Sequence, residues 1–123
     1  NPSLVGSEMC IRDRPRTAIG SLILSLAKDT DSDAYENSVE YLKKNAKFGD
    51  QGHKFYSLYY TSQAMFRASP SLWNSWNSQN FKTLQSSQTD NGSWNGSYGK
   101  TFATSAALLS LALNYRYLPI YER

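Results

Sequence analysis

Three aspartates, Asp29, Asp31 and Asp33, alternate along one short stretch. Carboxylates so spaced could share a proton for acid chemistry or surround a cation. A calcium loop also needs a glycine turn and a distal bidentate glutamate, and this stretch has neither. It reads instead as a solvated loop leading into a helix. His53, the one histidine, precedes Phe55 and Tyr56. It reads as a hydrogen-bonded loop residue, with a general acid or base as the alternative. Tyr56, Tyr59, Tyr60 and Gln63 share helical spacing, so they fall on adjoining turns and could line a cavity. Their ring faces could steady a cation or stack on a sugar; packing as core is the plain alternative. Trp73 and Trp76 read as packing residues. Serine-hydrolase elbows and phosphate loops are absent from the sequence.

The elements that must position these residues are helices. Segments 17–28, 56–68 and 101–115 form one set, and 34–45 and 71–88 a second. The stretches 17–27 and 104–113 are small and apolar around the whole circumference, which predicts helices buried on all sides. Segment 34–44 is amphipathic, with Tyr35, Val39 and Leu42 on one stripe, and Asp33 to Glu36 reads as its capping box. Segment 72–88 sets Trp73, Trp76, Phe81 and Leu84 against polar residues, with Pro70 opening it as a first-turn proline. Loops 46–54 and 89–99, rich in Gly, Asp and Asn, turn the chain.

The helices recur. Thr17-Ala-Ile-Gly-Ser-Leu22, Thr61-Ser-Gln-Ala-Met-Phe66 and Thr104-Ser-Ala-Ala-Leu-Leu109 align with starts 44 and 43 residues apart. The preceding corners align at the same offset, Tyr41-x3-Asn45-x3-Gly49 against Leu84-x3-Gln88-x3-Gly92. Two features sharing one offset define an internal repeat of helical hairpins. Alternation of inner and outer helices predicts a two-layer ring or solenoid.

Residues 4–13, Leu-Val-Gly-Ser-Glu-Met-Cys-Ile-Arg-Asp, have no hydrophobic period. They resemble the translation of a transposase-end adapter used to prepare sequencing libraries. Residues 1–14 are therefore set apart from the fold, as a fusion scar would be. They hold the single cysteine, Cys10, so no disulfide or thiolate ligand is expected. On that reading the true N-terminus is missing, which leaves cytoplasmic and exported locations both open.

The chain has 13 basic and 10 acidic residues, a net charge of +3, scattered along its length. The densest cluster, Lys43, Lys44 and Lys47, falls at a helix end, where cations suit the dipole. No nucleic-acid partner is expected. Between Lys100 and Arg116 lie 15 uncharged residues, short of the ~20 that a membrane span needs.

Leu84-x3-Gln88-x3-Gly92-x-Trp94 resembles the QW repeat of the squalene–hopene cyclase and prenyltransferase superfamily. The chain more closely resembles bacterial prenyltransferase/squalene oxidase repeat-containing proteins. That likeness also rests on the stretch from His53 to Phe66, on Trp73-x2-Trp76, and on the ending Tyr115 to Tyr121. It covers essentially all of residues 15–123.

The resemblance implies an all-α fold, an α/α toroid fragment of about two and a half inner/outer hairpins. Repeats would run over about 15–54, 55–100 and 101–123, with the remaining N-terminal hairpins of the same chain as partners. It implies that the glutamine bonds helix-end groups and the tryptophan stacks over it, tying neighbouring hairpins. Gln88 has the donors and acceptors for this, and Gly92 allows the close turn. The upstream corner departs from the motif, with Asn45 for glutamine and Gln51 for tryptophan.

The superfamily's chemistry is not matched. Its cyclase acid motif is Asp-x-Asp-Asp, against Asp-x-Asp-x-Asp here. The position of the prenyltransferase zinc histidine is Ala103, and the thioester sequence Cys-Gly-Glu-Gln does not occur. No cofactor, metal or catalytic residue is expected within the chain. The expected function is a binding or scaffold toroid with an aromatic-lined cavity for an apolar or carbohydrate ligand. The alternatives are a cyclase or prenyltransferase relative with its catalytic residues in the missing N-terminal part, a carbohydrate-active α/α barrel, and an open HEAT-like scaffold. The isolated piece is expected to be poorly stable, its open ends exposing apolar helix faces.

Overall fold

The computed structural model describes residues 7–45 and 54–115, with side chains over 16–44 and 55–115. Five helices follow in order: α1 (Ser7–Leu26), α2 (Asp33–Asn45), α3 (Lys54–Ala68), α4 (Pro70–Ser87) and α5 (Lys100–Ala112), with a 3-10 turn at Leu113–Tyr115. The described residues contain no strand. The fold is all-α.

Local chemistry sets the boundaries. Ser69 caps α4, its Oγ accepting the Leu72 N–H at 3.2 Å, and Pro70 takes the first turn, where its missing N–H costs nothing. Ser32, not Asp33, caps α2: its Oγ accepts the Tyr35 N–H at 3.2 Å. The expected capping box is thus displaced by one residue, which puts Glu36 beyond the N3 position that such a box requires. Asp33 and Glu36 still lie in the first turn and Lys43 and Lys44 in the last, as the dipole favours. Asp29, Asp31 and Asp33 are exposed around this cap. α1 begins at Ser7, upstream of the expected start near Thr17, and runs through Pro15. The later start follows from setting residues 1–14 apart from the fold, whereas the helix takes in residues 7–14 of that stretch.

α1, α3 and α5 pack side by side with α3 in the middle; α2 packs on α1 and α4 on α3. Both α2 and α4 lie on one side of that row. A single core cluster joins Ala18 of α1, Leu42 of α2, Met65 and Phe66 of α3, and Trp73 and Trp76 of α4. A second cluster joins Phe55 and Leu58 to Leu84, Trp94, Ala103 and Ala107. The apolar stripes of α2 and α4 therefore close against the row of α1, α3 and α5. Trp73 meets Phe66 edge-on with centroids 5.4 Å apart, and the Trp76 Nε1–H donates to Ser62 Oγ at 2.8 Å. Both tryptophans pack, as expected.

Two burial expectations are corrected. α1 and α5 are not buried on all sides: Ile23 is 58% exposed and Leu108 53%. They flank the row, so each has an inner neighbour on one side only. The central helix α3 instead buries every residue from Thr61 to Phe66. In α4 the buried stripe is Trp73, Trp76, Asn80 and Leu84, while Phe81 is exposed. Phe81 lies about 100° around the helix from Asn80, off the stripe, and the Asn80 Nδ2–H donates to Ser110 Oγ of α5 at 3.2 Å.

Candidate functional site

Ser62 and Phe66 aim α3 at the outer layer through Trp76 and Trp73. Tyr60 precedes Ser62 by two residues, about 200° around the helix. It therefore projects from another side of α3 than Ser62, and packs against the edge of the first cluster. Tyr56 and Tyr59 flank it at the spacing of adjoining turns, all three half-buried. The rings interlock edge to face, Tyr56 with Tyr60 at 5.1 Å and Tyr59 with Tyr60 at 5.0 Å between centroids, the geometry that ring quadrupoles prefer.

These tyrosines form one wall of a half-open pocket of about 170 Å³. The other wall is Phe102, Ser105, Ala106 and Leu109 of α5. Ser105 gives this second wall its one hydroxyl; the remainder is hydrocarbon. Burial pushes the Tyr60 hydroxyl above its ordinary value of 10.0, and the neighbouring Tyr56 and Tyr59 add to the rise. Tyr60 is thus neutral at physiological pH. The pocket is apolar and uncharged on its lining.

Gln63 continues the tyrosine stripe one turn on and is buried. The structure sets Tyr56, Tyr59 and Tyr60 together on the pocket wall, whereas Gln63 is not among the lining residues; His53 lies outside the described residues. The α5 wall was not foreseen. Its signal was available: 102, 105, 106 and 109 repeat on α5 the i, i+3, i+4, i+7 spacing of 56, 59, 60 and 63.

The Gln88 corner forms between α4 and α5. Gln88 Nε2 donates to the Gly92 carbonyl at 2.9 Å, closing the turn. Gly92 adopts φ +87°, a region that glycine enters freely. The Trp94 Nε1–H donates to the Leu84 carbonyl at 2.9 Å, and the Trp94 backbone N–H to Thr104 Oγ1 at 3.1 Å. Trp94 is buried and Gln88 exposed, so the indole does the tying while the glutamine braces the loop. Thr104 is the partner that sequence reading missed. Gly96 makes the next close approach, a Cβ there falling 2.8 Å from the Phe55 ring. Of the upstream counterparts, Gly49 and Gln51 lie outside the described residues, as does the side chain of Asn45.

A second, more open groove of about 450 Å³ runs along α2, lined by Thr30, Tyr35, Glu36, Val39, Glu40 and Ala68. At its edge Arg67 Nε donates to Ser25 Oγ at 3.0 Å. Among the described residues no three of His, Cys, Asp and Glu are placed to hold a metal ion. No described helix is long and apolar enough to cross a membrane. Comparison with protein-family models, with curated proteins and with solved structures gave no match.

Proposed function

We propose that this chain is part of an α/α ring of the prenyltransferase/squalene-oxidase repeat type, acting as a binding or scaffold module that holds an apolar group on its inner face. The observation that carries this reading is the tyrosine-walled pocket between α3 and α5. The serial packing of α1, α3 and α5 and the Leu84–Gln88–Gly92–Trp94 clasp support the architecture.

Size and polarity narrow the ligand. A cavity of about 150 Å³ lined by apolar residues holds a benzene-sized group, whereas whole small-molecule sites span about 300–1,000 Å³. At about 170 Å³ this pocket takes one ring or one branched hydrocarbon end. A sugar would leave most of its hydroxyls unpaired against such walls, at a cost for each. Hydrocarbon is the better match.

Calorimetric titration of the chain with farnesol and with maltotriose tests the reading. Saturable binding of farnesol, weakened about tenfold by Tyr60→Ala, equivalent to ~1.4 kcal/mol of lost contact, is expected. Ser105→Trp, a change at an exposed position, should fill the pocket and abolish binding. Tyrosine-dependent binding of maltotriose without farnesol would instead support a carbohydrate module and overturn the proposal.

A further inference from the structure

The helices of the row, α1, α3 and α5, meet one another in a repeated register. α5 meets α3 through Ala103, Ala106 and Ala107, which share a cluster with Phe55 and Leu58. One repeat earlier, 43 residues back, Ala64 and Arg67 stand where Ala107 and Ser110 stand. α3 meets α1 at those positions: Ala64 shares a cluster with Ala18, and Arg67 Nε donates to Ser25 Oγ at 3.0 Å. The same side of each helix therefore faces the helix before it.

Carried a further 44 residues back, that register gives Arg16, Ile19, Gly20 and Ile23 on α1. No helix precedes α1 among the described residues, and Ile23 is 58% exposed. Gly20 occupies the small-residue position of the register. Its counterparts Ala64 and Ala107 are buried at the contact, at 2% and 0% exposure. A Cβ at Gly20 would meet no atom within 4 Å among the described residues. The space that a neighbouring helix fills at Ala64 and Ala107 is open here.

The other end of the row carries the other half of the contact. α3 offers Phe55 and Leu58 to α5, and 43 residues on these positions are Tyr98 and Thr101. Phe55 and Leu58 are buried, whereas Tyr98 is 56% exposed and Thr101 is exposed as well. Tyr98 meets Phe102 edge-on with centroids 5.4 Å apart, so two rings form one apolar patch at this end.

We infer that copies of this chain associate head to tail. The Tyr98–Thr101 end of α5 in one copy seats the Ile19, Gly20 and Ile23 side of α1 in the next. A second copy is the occupant because it brings the matching half in the matching register. The joint continues, by one step, the contacts that α1–α3 and α3–α5 already make. Its two halves differ, so it is heterologous, and its repetition gives a ring or a filament rather than a two-fold pair. The joint does not depend on what the pocket holds.

Disulfide trapping in the full chain tests it. With Cys10→Ser throughout, chains carrying Gly20→Cys are mixed with chains carrying Thr101→Cys under mild oxidation. A mixed dimer joining the two variants should form well in excess of either self-linked pair. An excess of self-linked Thr101→Cys pairs would show a two-fold α5 contact and overturn the inference. A statistical mixture of all three pairs, the mark of random collision, would overturn it too. Sedimentation gives a second reading should a cysteine variant not fold. Gly20→Ala, which matches Ala64 and Ala107, should keep the parent's concentration-dependent association. Gly20→Trp has open space around it in the single chain, but should weaken association about tenfold or more by overpacking the joint. Equal association of these two variants, or a parent that does not associate, sinks the inference.

Discussion

The indole Nε1–H of Trp94 donates to the main-chain carbonyl of Leu84 at 2.9 Å, spanning the turn between α4 and α5. Leu84 belongs to the last turn of α4, where carbonyls lack intrahelical partners. Trp94 in turn presents its own N–H to Thr104 Oγ1 of α5 at 3.1 Å. One residue thereby joins the end of α4 to the first turns of α5. The same α5 carries the second wall of the pocket, so the corner sets how far that wall stands from the tyrosines.

Trp94→Phe separates the hydrogen bond from the packing. The variant keeps an aromatic ring in the buried site but removes the donor, and should lose about 1–2 kcal/mol in urea denaturation. Trp94→Ala should lose about 3–5 kcal/mol. Gly92→Ala should lose about 1–2 kcal/mol for its left-handed backbone. A Cβ there would meet only Gln88 Nε2, at an ordinary 3.8 Å, so the loss is conformational and Gly92→Asn should recover part of it. A Trp94→Phe variant as stable as the parent would show that the clasp is packing alone.

Ser62 and Trp76 form the corresponding bond inside the α3–α4 hairpin, at 2.8 Å and fully buried. Removing one partner leaves the other's polar group unmatched, a cost of about 1–3 kcal/mol. Ser62→Ala alone should therefore destabilise by that amount. Ser62→Ala with Trp76→Phe should lose less than the two single losses added together. Strict additivity in the denaturation midpoints would refute the coupling.

Much of this was legible because it is written in punctuation. Pro70 behind Ser69 and the Gly-rich corner after Gln88 fix where α4 starts and stops, while the recurring Thr17, Thr61 and Thr104 fall inside α1, α3 and α5 and mark their repetition, not their ends. What was not legible depends on neighbours. Phe81 looks like a core residue by type, but the stripe set by Trp73 and Trp76 passes through Asn80, and only Ser110 on another helix makes that burial affordable. Segments 17–27 and 104–113 are apolar all round, yet periodicity cannot say that each flanks the row. On the pocket, the tyrosine wall was visible from spacing on α3. The facing wall needed the register of α5 against α3, which the Trp94–Thr104 bond helps to set.

Alkaline pH offers a separate test. Burial raises the Tyr35 hydroxyl above 10.0, more than the Ser25 hydrogen bond and the Arg67 charge lower it; Tyr60 is raised by burial and by Tyr56 and Tyr59. A raised value means the folded chain holds these protons more tightly than the unfolded one. Their contribution is fully present below about pH 10, the unfolded value, and is lost as pH climbs from there through the folded values. Urea midpoints should therefore be flat in these terms up to pH 9 and fall by pH 11. Tyr35→Phe with Tyr60→Phe should start from a lower midpoint but fall less steeply. An equal slope would contradict the shifts.

Ile23 on α1 and Leu108 on α5 mark the two flanks of the inner row, at 58% and 53% exposure. Leu109 and Phe102 extend the α5 flank, at 40% and 38%. Substitution at such exposed sites, away from caps and buried bonds, changes stability by about 0.5 kcal/mol or less. Ile23→Lys and Leu108→Lys should therefore leave the thermal midpoint nearly unmoved. Contiguous exposed hydrocarbon also drives association, so the paired lysine variant should sediment with less concentration dependence than the parent. Leu84→Ala, buried in the second cluster, is the contrast, and should lose about 2–5 kcal/mol. A lysine at position 108 as damaging as an alanine at 84 would mean that the flank is covered in solution, and that α5 is not the edge of the row.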